Sequence, residues 1–259
     1  MDENYFKNEE YFKELDEKQK NIFRLLLCPI NVSNRLETKF SVNGNVINSR
    51  HTFGTLDPDM SDIAIEFYSI IYKSILNDEP ILKNDGTLVN DYYAGDTMNS
   101  FNTVARFASK KKKEQWGNSY HCLANFWLLP SNIGRGSNKK GKSSGGTFTN
   151  PLTVESFNKG KRDFMDRFLK IEHQYDLEKF AEGHFINGIY VEKDSDTENY
   201  HVIEFSILQG DGKKEVKNRM IDAIIDTMMN NICKRAYKIV NNKKICENLY
   251  SYFNSINII

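Results

Sequence analysis

Long apolar runs are missing from this sequence. No stretch approaches the roughly 18 uninterrupted apolar residues that a membrane-spanning helix needs, so a helical membrane protein is excluded. The first residues, MDENYFKNEEYFKELDEK, are acidic and lack the basic stretch and apolar segment of a secretory signal. Cysteine is scarce. Cys28, Cys122, Cys233 and Cys246 form no C-x-x-C pair and have no histidine at zinc-finger spacing, so structural zinc is not expected. They read as scattered buried thiols in a reducing, cytoplasmic compartment. Net charge is absent too, with 35 basic against 35 acidic residues. No internal repeat is visible, and Ser, His and Asp stand in no recognisable triad context, which argues against acyl transfer.

What is present suffices for a folded core. The chain has 259 residues, 39% hydrophobic and 12% aromatic, which supports one domain over 1–259 without covalent staples. Apolar residues Phe6, Tyr11, Phe12, Leu15, Ile22, Phe23 and Leu26 recur at helical spacing and predict a helix over 4–27, stopped by Pro29. Alternation on either side of Asn43-Gly44 predicts a hairpin, since that dipeptide suits a type I′ turn. Ser61 is placed to cap a helix with Ile63, Ile65, Phe67, Tyr68, Ile71 and Ile75 on its apolar face. Asp96 or Thr97 is placed to cap a further helix running to Trp116. HCLANFWLLP suits strand or helix, and 153–182 reads as helix. The stretches 184–193 and 199–210 read as a second hairpin around DSDTE, and 216–258 as helix with a break at Asn241-Asn242. The fold class is α+β, mainly α-helical with two small antiparallel β-hairpins.

The charge is unevenly spread. Residues 101–170 hold fourteen Lys/Arg against four Asp/Glu, a net +10, and 171–211 hold ten acidic groups against two lysines, a net −8. Such blocks steer anionic ligands, or pair with each other or with a partner protein. Within the basic block, GSNKKGKS places Gly136, Gly141, Lys142 and Ser143 in the slots of a nucleotide-binding P-loop. That motif needs a helix N-terminus directly after it, and SGGTFTNPLTV puts two glycines and a proline there. A basic, Gly-rich loop that meets phosphate by electrostatics is the simpler reading, with nucleotide binding as the alternative.

Three segments carry a resemblance: GDTMNSF at 95–101, HCLANF continuing into Leu128-Leu129-Pro130, and Arg135-Gly136-Ser137-Asn138 with DFMDRF at 163–168 downstream. Together with DPDMS at 57–61, they resemble a family of uncharacterised bacterial proteins, a domain of unknown function, over roughly residues 55–180. The chain departs from that family at Ala124, where glycine is usual, and in a longer, lysine-rich loop over 137–160. No activity is established for the family, so the resemblance marks residues without assigning their chemistry.

Two nuclease chemistries fit parts of the pattern. Leu123 to Asn132 resembles the second half of an HNH-type nuclease, which would make His121 the base and join it with Asn125 and Asp96 around one divalent metal. Arg167 and His173 fit the spacing of HEPN-type metal-independent ribonucleases, with Arg167 stabilising the phosphorane. Asn99 falls one turn beyond Asp96 and could share its helix face. The lysine run 110–113 reads as a solvated helix end set against a C-terminal dipole. That is the usual reading of such a run; beside Trp116, Tyr120 and Trp127 a phosphate-and-stacking surface is the alternative. The expectation is a phosphate-ligand or nucleic-acid-binding protein, in one reading a nuclease. Its catalytic candidates are Asp96, Asn99, His121, Asn125 and Arg167, and its ligand-binding candidates Lys112, Arg135, Asn138, Lys139 and Lys142. A non-catalytic protein-interaction module is the alternative from a different class.

Overall fold

Apolar stripes on five helical segments dictate how this chain buries itself. In the computed structural model the described residues are 9–28, 30–34, 37–42, 45–50, 61–73, 92–96, 108–117, 119–130, 177–203 and 214–259. Helix α1 (Glu9–Phe12) is separated from α2 (Glu17–Leu26) by a break at Asp16. The one helix expected over 4–27 is therefore two. Asp16 accepts from the Gln19 N–H while the Gln19 side chain accepts from the Asp16 N–H, a reciprocal capping box that starts α2 afresh. Helix α3 (Asp62–Ile71) begins at Ser61, whose hydroxyl accepts from Ala64 N–H at 3.3 Å.

Among the described residues the extended segments form three small antiparallel sheets. Strands β1 (Ile30–Asn34), β2 (Glu37–Val42) and β3 (Asn45–Arg50) lie in sequential order, and Val42 pairs with Asn45 across the expected hairpin. Strand β4 (Tyr92–Asp96) pairs with β5 (Phe126–Pro130), a long-range ribbon that local pattern did not announce. HCLANFWLLP resolves into a short 3-10 turn over Leu123–Asn125 followed by β5. Strands β6 (Val191–Lys193) and β7 (Tyr200–Val202) form the second expected hairpin; β6 starts at Val191 rather than at His184, and residues 204–210 lie outside the described residues.

Helix α4 (Lys110–Gly117) starts after the non-helical Ala108 and Ser109, so no single helix runs from 97 to 116. This corrects the placement of the lysines. They occupy the first turn of α4, at the positive end of its dipole, where cations are unfavourable. Helix α6 (Lys214–Asn241) supplies the compensation, as described below. Helix α5 (Leu177–Gly183) ends in a Schellman arrangement, with Ile186 N–H on Ala181 O and Phe185 N–H on Glu182 O. Phe185 takes the left-handed position (φ 60°), and His184 becomes the C-cap. Helix α7 (Lys243–Ser255) follows the expected break: the Asn242 side chain accepts from Ile245 N–H at 3.2 Å.

The core forms where α2, α3, α6 and α7 meet the 3-10 turn and β5. Ile22, Phe23, Leu26, Phe67, Tyr68, Trp127, Ile225, Ile239, Leu249 and Phe253 are among its fully enclosed members. No helix among the described residues is long and apolar enough to cross a membrane.

Candidate functional site

The turn between α4 and β5 carries the described part of the expected site. Trp116, buried at the end of α4, stacks on Tyr120 with ring centroids 5.6 Å apart. Tyr120 in turn lies 3.8 Å from the His121 ring, and His121 meets Phe126 edge-on at 6.4 Å. Tyr120 and His121 are half-buried, so each keeps part of its ring at the surface. Asn125 is buried, and its amide donates to Tyr120 O at 2.8 Å, which closes the turn. Asn125 is thus committed to backbone geometry. In β4, Asp96 pairs with Phe126, so the register brings its backbone next to Asn125 at the same end of the ribbon. The Asp96 backbone thus lies beside Asn125, while His121 reaches this end of the ribbon through its ring contact with Phe126. Asn99, Arg167, Arg135, Asn138, Lys139 and Lys142 lie outside the described residues, as do the whole P-loop-like stretch and His173.

Lys112 is engaged from within. Its ammonium pairs with Asp226 of α6, and one turn earlier on α6 the Asp222 carboxylate accepts from Ser109 N–H at 2.8 Å. Lys110, Lys111 and Lys113 are exposed. The acidic pair on α6 offsets the unfavourable placement of lysines at the start of α4.

Beneath this surface lies a polar cluster that sequence reasoning missed. Arg235 of α6 is 1% exposed. Its Nε donates to His184 O at 3.0 Å, Nη1 to Ala124 O and Phe126 O at 2.8 Å each, and Nη2 to the Tyr72 hydroxyl at 2.8 Å. The guanidinium also sits 4.4 Å from the centre of the Trp127 ring. Carbonyl dipoles and an aromatic face stabilise this cation, and the two Nη1 bonds grip the carbonyls on either side of Asn125. One signal was readable: Arg235 interrupts the apolar stripe Ile232, Ala236, Ile239 of a long helix. His184 gave no such signal. Its ring is stacked on Phe180 at 3.8 Å and lies near Tyr72 and Trp127, with Nδ1 3.0 Å from Phe180 O and Nε2 3.1 Å from Leu128 O. Burial holds its pKa down at about 4, with the nearby Arg235 charge acting in the same direction. A neutral ring has one N–H, so only one of the two carbonyls receives a hydrogen bond.

The four cysteines are free and buried, and burial pushes the Cys233 thiol up to about 12, which keeps it an unreactive thiol. Among the described residues no group of three or more His, Cys, Asp or Glu comes together to hold a metal. No family model, no curated protein and no solved structure matches the chain.

Proposed function

We propose that this protein binds a phosphate-rich ligand, a nucleic acid, on the surface formed by α4 and the aromatic turn that follows it. One observation carries the reading. Lys110, Lys111 and Lys113 are exposed on a helix that ends at the buried Trp116, and the half-buried Tyr120 and His121 are layered on it in the turn that follows. Ammonium groups track a phosphate backbone, and partly exposed rings offer a face for unpaired bases. The uneven charge of the chain, +10 over residues 101–170, supports the same reading.

A second reading, phosphodiester hydrolysis, draws support from the β4–β5 register, which sets the Asp96 backbone opposite Phe126, the residue after Asn125 and the ring that His121 meets. In it His121 would be the base, with a divalent metal recruited together with the phosphate. The test is one paired assay. Labelled oligothymidylate, RNA and duplex DNA are incubated with the protein, with and without magnesium or manganese, and read for retardation and for cleavage. Retardation that weakens steeply with salt and is lost in the Lys110→Ala/Lys111→Ala/Lys113→Ala variant is expected. Metal-dependent cleavage lost in His121→Ala would add catalysis. Absence of retardation at low salt would overturn the binding reading and shift weight to a protein-interaction module.

A further inference from the structure

Lys112 is the lysine of the run that α6 takes for itself. Asp226 pairs with its ammonium, and Asp222, one turn away on the same face of α6, accepts from the backbone of Ser109 just before α4. The Asp226 side chain is 52% exposed and that of Lys112 is 21% exposed. The pair is thus open to solvent on its acidic side, where an arriving phosphate would compete. A carboxylate and a phosphate oxygen make the same demand on an ammonium: an anionic acceptor in a charge-assisted hydrogen bond.

We propose that Asp226, anchored beside Asp222, is a built-in competitor for the phosphate at the lysine helix. It occupies Lys112 in the free protein and must be displaced before the fourth lysine joins the ligand. The proposal rests on the reading of α4 as a nucleic-acid surface and adds its regulation. Two consequences follow. Affinity in the free protein is set by Lys110, Lys111 and Lys113, with Lys112 held in reserve. Any change that neutralises Asp226 also raises the number of phosphates the surface neutralises.

The test compares wild type, Asp226→Asn, Asp226→Asn/Lys112→Ala and Glu66→Gln, using labelled oligothymidylate over a range of salt. Glu66 lies exposed on α3, and its substitution makes the same change in net charge away from α4. A surface ion pair contributes little to stability, so Asp226→Asn is expected to fold. Asp226→Asn should bind about fivefold tighter, the affinity equivalent of a surface ion pair at the upper end of its usual range. Its log–log salt dependence should steepen by about 0.7, as expected for one further phosphate on a single strand. The double variant should lose both gains, and Glu66→Gln should match wild type. Wild-type affinity and slope in Asp226→Asn would overturn the competitor, as would a gain that survives Lys112→Ala or appears equally in Glu66→Gln. Binding by neither wild type nor Asp226→Asn at low salt would instead overturn the surface itself.

Discussion

Arg235 and His184 are enclosed side by side in the interior. Removing Arg235 would leave three backbone carbonyls and the Tyr72 hydroxyl without their donor. His184, packed a few ångströms away, answers the same burial by giving up its proton. Its folded pKa of about 4 lies below the 6.5 of the free side chain. The unfolded chain therefore binds a proton between these values that the folded chain refuses. The resulting stability is fully present above pH 6.5 and is lost as pH falls toward 4, by about 3 kcal/mol over the interval. Urea unfolding of wild type and His184→Asn at steps from pH 7 to pH 4.5 checks this. Wild type should lose stability more steeply than the variant, and parallel curves would mean that His184 is not held neutral. Arg235 left one trace in the sequence, the break in the apolar stripe of α6, whereas His184 left none. A histidine at a helix C-cap has no local signature, because its partners Tyr72, Trp127 and Leu128 are contributed by distant elements.

At the scale of elements, what could be read in the sequence is what adjacent residues decide. Ser61 and Asn242 were legible as helix boundaries because capping is a contact three residues long. The Asn43-Gly44 hairpin was legible because a two-residue turn fixes the register around it. The β4–β5 ribbon was not, since its strands stand some thirty residues apart and its pairing is decided by what each buries. The lysine run was misplaced for a related reason. A charge run shows that a helix end is solvated and leaves open which end it is, and Asp222 and Asp226, more than a hundred residues later, settle it. Helix α7 is bounded at both ends by local devices: the Asn242 cap, and a Schellman turn in which Asn257 takes the left-handed position (φ 58°) and Ile258 N–H reaches Phe253 O. Asn242→Ala should cost about 1 kcal/mol, seen as a lower urea midpoint with an unchanged slope. An unchanged midpoint would mean that water replaces the cap at no cost.

For the whole molecule, the C-terminal helix tests whether the core is one cooperative unit. Helix α7 packs against α2, α3 and α6, elements drawn from the two ends of the chain and from between them. Cys246, Leu249 and Phe253 face inward and are almost fully enclosed. The ion pair of Lys18 with Glu247 and the Gln19 amide on Val240 O tie α2 to the hinge between α6 and α7 from outside. Burying three such side chains stabilises a fold by roughly 5–8 kcal/mol, whereas a domain's net stability is only about 5–15 kcal/mol. Removing α7 also exposes the apolar faces of α2 and α3 that it covers, which adds to the loss. A chain ending at Asn241 should therefore show no cooperative thermal or urea transition, although α6 keeps part of its helical circular dichroism. The Asn242→Ala chain serves as the comparison, because it disturbs the same junction without uncovering the core. A truncated chain that unfolds cooperatively within a few degrees of the full-length one would show that α2, α3, α6 and β5 are self-sufficient and that α7 is an appendage. The loss of the transition would make α7 a structural member of the core that holds Arg235 against the 124–126 turn, and through it the surface proposed to bind nucleic acid.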